Sequence, residues 1–316
     1  MNDAQRQRPG TGPPTGPPGA EAHAACRGTG AHADRGSADP RAGRGSTETP
    51  AGTGGGPAGA RFGAATRAWF DAAFAAPTPA QVGAWEAVAA GRHTLVVAPT
   101  GSGKTLAAFL WSLDQLAHEP PPADRAARCR VLYVSPLKAL AVDVQRNLRG
   151  PLAGIRQAAA RLGLPVPDIT VGMRTGDTPA QERRSLARTP PDILITTPES
   201  LFLLLTSQAR EALAAVRTVI VDEVHAVAAT KRGAHLALSL ARLDHLLPRP
   251  AQRIGLSATV RPVEEVARFL GGPAPVTVVA PPSEKRIELT ITVPVDDMTD
   301  LRGPLPGAVR QPAEGA

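Results

Sequence analysis

Short apolar runs alternate with longer segments of helical periodicity over most of the chain. The runs lie at residues 94–98, 131–135, 169–173, 192–196, 217–222, 253–256 and 276–279. Such runs, bounded by turn residues, predict buried strands, whereas apolar residues that recur three or four positions apart predict amphipathic helices. Strands that alternate with helices indicate a parallel, three-layer α/β domain.

The segments between these runs predict the helices. One group covers Arg61–Ala76 with Phe62, Trp69, Phe70 and Phe74, a short helix with Gln81, Trp85 and Val88 that ends at Gly91, Leu106–Leu116, and Pro262–Leu270. The other group begins after Pro136, near Pro179 with Asp177 or Thr178 as the N-cap, at Pro198, and before the series Leu236, Leu240, Leu243 and Leu247. Proline at the first helical position and a polar residue before it are typical of helix starts.

The two ends of the chain lack this pattern. Residues 1–60 contain no Val, Ile, Leu, Phe, Trp or Tyr and are rich in Gly and Pro. Such a segment cannot bury enough surface to offset chain entropy, so we expect it to be disordered. It also lacks the apolar stretch of a signal peptide. We expect one folded domain at 61–294 and a second disordered segment at 295–316.

The 316-residue chain is basic, with a net charge of +7 and an isoelectric point near 10.3. This balance is typical of proteins that bind nucleic-acid phosphates, although Arg-rich chains are often basic without such a partner. Cys26 and Cys129 form neither a metal pattern nor a disulfide framework, which favours a reducing, cytoplasmic environment. No apolar run approaches the ~20 residues of a membrane span.

The segment 94–105, TLVVAPTGSGKT, has the order strand, glycine loop and helix start. Backbone N–H groups at such a helix start can bind phosphates, and Gly101 and Gly103 can adopt backbone conformations closed to other residues. We expect Lys104 to reach the β- and γ-phosphates and Thr105 to hold Mg²⁺. The strict pattern begins with Gly where this chain has Ala98, and the alternative is a Gly-rich turn with a chance Lys. The expected nucleotide-binding residues of the loop are Ala98, Pro99, Thr100, Gly101, Ser102, Gly103, Lys104 and Thr105.

Polar residues follow several other strands. Asp222 and Glu223 end the run at 217–222, where two adjacent carboxylates require a cation or solvent. Asp222 is suited to Mg²⁺, and Glu223 to orienting and deprotonating an attacking water. Ser257 and Thr259 end the run at 253–256. Ligands of open α/β sheets bind at such carboxyl ends.

Four further polar residues have a functional and a structural interpretation. Gln81 can read an adenine edge, because its amide both donates and accepts, or it can simply start an exposed helix. Lys138, Thr196 and Thr197 can contact phosphates of a nucleic acid. A solvated Lys and an ordinary helix cap are the alternatives.

The ordered series APTGSGKT, SPLKAL, TTPES, DEVH and SAT, preceded by Gln81, resembles the first RecA-like lobe of a superfamily 2 DEAD/DEAH-type helicase. Longer segments such as DILITTPESLFLLLTS and RIGLSATVRPVEEVARFLGG resemble the large helicase-related (Lhr) family in particular. The likeness covers about Thr66–Pro294. Ala at the position of Ala98 is ordinary in that family.

This resemblance implies an α/β fold, a three-layer RecA-like P-loop NTPase domain with a mainly parallel sheet. It implies ATP and Mg²⁺ as cofactors, with Gln81 on adenine, and Thr105 and Asp222 on the metal. Lys104, Asp222 and Glu223 are implied as catalytic residues, with Glu223 as the base.

The resemblance also implies residues outside the nucleotide site. His225, Ser257 and Thr259 are implied to couple ATP to nucleic acid. The residues implied to belong to elements that line the nucleic-acid strand are Pro136, Lys138, Thr196, Thr197 and Glu199.

The implied activity is ATP-driven translocation on single-stranded DNA or RNA, 3′ to 5′, in repair or RNA processing. The segment Arg286–Val295 resembles the start of the connection to a second lobe, which supplies arginine fingers in the family. We expect that lobe to be absent from this chain, so the alternative is an ATP- and nucleic-acid-binding module that hydrolyses ATP at most marginally. A P-loop ATPase of another class is disfavoured by SPLKAL and TTPES, which such a class does not need.

Overall fold

The structure, a computed structural model, describes residues 62–282. Within them, all strands belong to one seven-stranded parallel sheet in the order β3-β4-β2-β5-β6-β1-β7. The strands are β1 (His93–Val97), β2 (Val131–Val134), β3 (Val171–Arg174), β4 (Ile193–Thr196), β5 (Thr218–Val221), β6 (Gln252–Ser257) and β7 (Val276–Val279). Each predicted apolar run overlaps a strand, which confirms the α/β class.

The helices of the described region connect these strands and cover both faces of the sheet. The first five are α1 (Ala64–Ala73), α2 (Pro79–Ala89), α3 (Lys104–His118), α4 (Lys138–Asn147) and α5 (Arg149–Arg161). The remaining five are α6 (Ala180–Arg188), α7 (Pro198–Leu205), α8 (Val224–Ala228), α9 (Lys231–Leu246) and α10 (Val263–Gly271).

Several elements differ from the sequence-based expectation, among them β3, α6 and α5. The strand β3 begins at Val171 rather than Ile169. The helix α6 begins at Ala180 with Pro179 in the N-cap position, so the predicted N-cap at Asp177 or Thr178 is wrong. Thr178 instead accepts the Thr175 N–H at 2.9 Å and closes the turn before the helix. The helix α5 was not predicted, because Gly150 and Pro151 in its first turn resemble a loop.

Successive strand residues face opposite helix layers. Tyr133 and Ile220 pack with Phe109 and other residues from α1 to α5, whereas Val134 and Val221 pack with residues from α7 to α10. The strands are therefore buried on both sides, as parallel strands usually are. Because every pairing in the sheet is parallel, the carboxyl ends of the strands all lie along one edge.

The opposite, amino edge of the sheet holds a buried ionic cluster around Asp192, which is fully buried. Its Oδ1 accepts from Arg130 at 2.8 Å, and its Oδ2 accepts from Arg128 at 2.9 Å. The N–H and hydroxyl of Thr170 each donate to Oδ2 at 2.8 Å. Burial by itself raises the pKa of Asp192, but these hydrogen bonds outweigh it and leave the pKa below its ordinary value.

Among the helices of residues 62–282, none has the length and apolar character needed to cross a bilayer. The expectations for residues 1–60, for the connection at Arg286–Val295 and for the segment 295–316 lie outside the described residues.

Candidate functional site

The glycine loop lies between β1 and α3, at the carboxyl edge of the sheet. Gly101 has φ 82° and Gly103 has φ 79°, a left-handed region that residues with a Cβ adopt at a cost. Gly103 is the N-cap of α3. The loop therefore directs the amino end of a fifteen-residue helix toward the sheet edge, where the helix dipole favours anions.

Lys104 is the first residue of α3, and its Nζ donates to the Ala98 carbonyl at 2.6 Å. Burial lowers the pKa of Lys104, while the charges of Glu223 and Asp222 act in the opposite direction. The ammonium group thus lies within electrostatic reach of both carboxylates. Ser102 also has a buried hydroxyl without a hydrogen-bond partner in the described part of the chain. These features suit a loop whose polar groups can bind a phosphate.

The helix α2 holds the loop through two side chains. Thr78 donates its hydroxyl to the Ser102 carbonyl at 3.0 Å, and Gln81 donates Nε2 to the Gly103 carbonyl at 3.4 Å. Gln81 also accepts the Thr78 N–H at 2.9 Å and so completes a capping box. Gln81 is only 4% exposed, so its interpretation as a solvated helix start is wrong. Its contact with adenine stays a prediction.

Asp222 and Glu223 follow β5, which is separated in the sheet from β1 and its glycine loop by β6 alone. Asp222 is 8% exposed, and its Oδ1 accepts the Glu223 N–H at 2.9 Å. Glu223 has φ 44° and ψ 46°, and it is the only residue other than Gly with positive φ in the described region. A backbone conformation of this kind costs free energy and is concentrated at functional sites.

Tyr133 is a neighbour of this site that the sequence analysis missed. Its hydroxyl donates to Oδ2 of Asp222. Burial, followed by the charge of Asp222, raises the pKa of Tyr133 far above its usual range, so the hydroxyl stays a donor. A Tyr within a continuous apolar strand gives no signal of its own, because aromatic residues are common in strands.

His225 joins the carboxylates to the end of β6. Its Nδ1 accepts the Ala258 N–H at 3.2 Å, lies 3.2 Å from Oγ of Ser257, and lies 3.4 Å from Oε2 of Glu223. The structure thus brings together His225, Ser257 and Glu223. The coupling role implied for His225, Ser257 and Thr259 stays a prediction. Thr259 lies exposed in the turn that follows.

The residues expected to line a nucleic-acid strand also lie after strands, but several are engaged within the protein. Lys138 pairs with Asp177 at 2.7 Å, and both side chains are exposed. Glu199 forms a two-point ion pair with Arg232, which holds the pKa of Glu199 below its usual range. No sequence motif pointed to Arg232, which lies on α9.

The remaining three residues of that set are buried. Thr196 donates its hydroxyl to the Arg174 carbonyl at 2.8 Å, and Thr197 caps α7 by accepting the Ser200 N–H at 3.4 Å. The alternative of an ordinary helix cap therefore describes Thr197 in this structure. Pro136 is also buried. Contacts of these residues with nucleic acid stay predictions.

The oxygen ligands near the loop suit magnesium. In residues 62–282, no group of three or more His, Cys, Asp or Glu side chains could hold a metal ion. Mg²⁺, however, commonly takes one or two protein oxygens and completes its shell with water and substrate phosphates. The carboxylate of Asp222 and the hydroxyl of Thr105 fit a metal held together with a nucleotide.

A seven-stranded parallel sheet with a glycine loop, Lys104 and an adjacent carboxylate pair defines the class of RecA-like P-loop NTPase lobes. A model of the DEAD/DEAH box helicase family matches residues 78–267, which is more than half of the chain and contains these motifs. The chain belongs to the DEAD/DEAH box helicase family.

The chain is similar to proteins named Lhr. It is 68% identical over 241 residues to the Lhr helicase/probable uracil glycosylase of Mycolicibacterium smegmatis, covering 76% of this chain and 16% of that protein. It is 59% identical over 244 residues to the Lhr helicase/uracil glycosylase of Escherichia coli, covering 76% and 16%.

A solved structure of Mycobacterium smegmatis helicase Lhr bound to ssDNA and AMP-PNP matches with 66% identity and a TM-score of 0.71. The match covers 78% of this chain and 31% of that one. This chain therefore spans less than a third of each of the matched chains.

Proposed function

We propose that this chain is the ATP-binding lobe of an ATP-dependent helicase, which couples ATP hydrolysis to translocation along single-stranded DNA or RNA. The observation that carries the proposal is the placement of the glycine loop after β1 and of Asp222 and Glu223 after β5, at the carboxyl ends of two strands that both flank β6. The charges of both carboxylates act on Lys104. A binding module without helicase activity is not favoured, because the matched relatives are named helicases. DNA repair is a candidate pathway. The proposed location is the cytoplasm, because the buried free thiol of Cys129 would stay reduced there.

ATP binding would use groups that the loop already positions. The N–H groups at the start of α3 would face the phosphates, and Lys104 would exchange the Ala98 carbonyl for the β- and γ-phosphate oxygens. Gln81 uses one amide hydrogen to hold the Gly103 carbonyl of the loop and one carbonyl lone pair to accept the Thr78 N–H. A Gln amide has a second hydrogen and a second lone pair, and these can recognise adenine.

The carboxylates would divide the remaining work. Asp222 and Thr105 would hold Mg²⁺, which supplies charge neutralisation at the β- and γ-phosphates. Glu223 would orient the attacking water and accept its proton. The contact between Glu223 and His225 would couple the base to Ser257 at the end of β6. An arginine from a second lobe would stabilise charge on the γ-phosphoryl group.

Lys104→Ala tests the nucleotide site. Charge-assisted contacts contribute about 1.5–3 kcal/mol, so the dissociation constant for ATP should rise roughly ten- to hundredfold. Titration of a fluorescent ATP analogue into the full chain measures it, with Lys231→Ala at the exposed start of α9 as the matched control. Equal affinity in Lys104→Ala and the parent would reject the loop as an ATP site.

Stimulation of the parent's ATPase by single-stranded DNA or RNA tests the coupling.

A further inference from the structure

We propose that Tyr133 is a positioning residue for the magnesium-bound nucleotide and acts by fixing the orientation of the Asp222 carboxylate. The inference rests on the proposed function, because it assumes that Asp222 is the protein ligand of Mg²⁺. Tyr133 lies on β2, so the inference assigns a role to a residue outside the glycine loop and the DEVH segment. The proposal stands on the geometry of three elements that meet at the tyrosine ring.

The sheet register brings the two residues together. Tyr133 pairs with Ile220, and Val134 pairs with Val221, in the parallel ladder between β2 and β5. The Asp222 N–H continues this ladder by donating to the Val134 carbonyl at 2.9 Å. Because strand side chains alternate between faces, Asp222 lies on the same face as Ile220 and Tyr133. The diagonal neighbour of Asp222 across the strands is therefore the tyrosine, whose hydroxyl reaches Oδ2.

The ring of Tyr133 is held in place by its surroundings. It is fully buried and stacks on Phe109, with ring centroids 5.2 Å apart and an interplanar angle of 28°. Phe109 belongs to α3, the helix that starts in the glycine loop. The ring thus links the helix that carries Lys104 to the strand that precedes Asp222. A phenylalanine would fill the same space, so packing alone does not explain a hydroxyl at this position.

Both oxygens of Asp222 have a defined partner. Oδ2 accepts from Tyr133, and Oδ1 accepts the Glu223 N–H at 2.9 Å. The two bonds leave little rotational freedom about the last bond of the side chain. Hydrogen bonds of this kind orient metal ligands, and their removal typically lowers metal affinity about 10- to 100-fold. Tyr133 thus presents a pre-oriented carboxylate to the metal.

The test is Tyr133→Phe in the full chain, read as the ratio of ATP-analogue affinity with Mg²⁺ to affinity in EDTA. We expect the ratio to fall about tenfold, while the affinity in EDTA stays within about twofold of the parent. A purely structural role would change both affinities together. Thr170→Val is the matched control, because it removes a hydroxyl that donates to the buried carboxylate of Asp192 at the opposite edge. It should leave the ratio unchanged.

Asp222→Asn separates this inference from the proposed function. A normal ratio in Asp222→Asn would reject Asp222 as the metal ligand. A reduced ratio in Asp222→Asn with a normal ratio in Tyr133→Phe would reject only the role of Tyr133. In the Asp222→Asn background, Tyr133→Phe should have no further effect on the ratio.

The parent chain offers a second measurement that needs no variant. Tyr133 is the single tyrosine of the sequence, so labelling tyrosine with ¹³C at the ring carbon that bears the hydroxyl gives one NMR signal. Addition of Mg²⁺ to the ATP-saturated chain should shift this signal. An unshifted signal, in a chain whose nucleotide affinity responds to Mg²⁺, would overturn the proposal even if Tyr133→Phe failed to fold.

Discussion

Glu223 shows how a single backbone conformation can serve chemistry. Its left-handed φ of 44° costs free energy that a regular strand end would avoid. The conformation lets the N–H of Glu223 bond Asp222, and its carboxylate lies 3.4 Å from His225. The strained residue thereby connects the proposed metal ligand with the histidine proposed to couple ATP to nucleic acid.

Glu223→Gln should therefore separate binding from hydrolysis. The amide keeps the size of the side chain but cannot accept a proton, so ATP turnover should fall about 10²-fold or more. The affinity for MgATP should stay near that of the parent. Steady-state phosphate release and analogue titration on the same samples measure the two effects.

Glu182→Gln, at an exposed acid on α6, is the control for this experiment. Turnover at the parent rate in Glu223→Gln would require a different base. Loss of MgATP binding in the same variant would instead give Glu223 a role in binding.

At the scale of elements, the loop between β1 and α3 could be predicted from the sequence. The long-range contacts around the site could not. The spacing of Gly101, Gly103 and Lys104 is local and fixes strand, turn and helix within a few residues. The Tyr133–Asp222 bond joins residues 89 positions apart, and it exists because β2 lies beside β5. The strand order of the sheet does not follow the order of the chain, so periodicity could not reveal this contact.

Local patterns also explain the errors in element boundaries. Gly150 and Pro151 concealed α5, although Ile155, Ala158 and Ala159 form its buried face. Thr178 is of a residue type that is common at N-caps, but its hydroxyl closes a turn with Thr175 instead. Side-chain competition for nearby backbone groups cannot be resolved from residue types alone.

The ionic cluster at the amino ends of β2 and β4 predicts a stability effect. Asp192→Ala would remove the 2.8 Å partner of Arg130, which is 6% exposed and would keep its ion pair with Glu119 at 3.2 Å. Removing one partner of a buried ion pair typically costs about 3–5 kcal/mol. Urea unfolding at pH 7 should show a loss of this size, and a loss below about 1 kcal/mol would contradict a buried, fully bonded Asp192.

The sign of the pH dependence follows from the lowered pKa of Asp192. The unfolded chain protonates this carboxyl near its ordinary value of 3.8, whereas the folded chain protonates it at lower pH. Its stabilisation is present above pH 3.8 and is lost as the pH falls through the lower, folded value. The difference in unfolding free energy between the parent and Asp192→Ala should therefore be constant near neutral pH and shrink in acid.

For the whole molecule, a net charge of +7 favours binding of single-stranded nucleic acid in a salt-dependent way. Lys138, a proposed phosphate contact, is neutralised by Asp177. Asp177→Asn should therefore tighten binding, and the gain should shrink as salt is raised, because exposed charges are screened. Fluorescence anisotropy with labelled single strands at two salt concentrations measures both effects.

Asp168→Asn removes one negative charge near Arg128 at the other end of the sheet, which is the same change in net charge, and it serves as the control. An equal gain in both variants would show that net charge alone is responsible. The site near Lys138 is supported only if Asp177→Asn gives the larger gain.

The stabilising ionic cluster lies at the amino edge of the sheet, and the proposed nucleotide site lies at the carboxyl edge. Mutations at the two edges should therefore have different genetic effects. Changes around Asp192 would lower the amount of folded protein in a cell, and such alleles should be recessive and sensitive to temperature. Changes such as Glu223→Gln would leave an abundant protein that still holds nucleotide. Alleles of that kind should interfere with an active copy of the protein, because the inactive protein would occupy the single-stranded nucleic acid that the active copy needs.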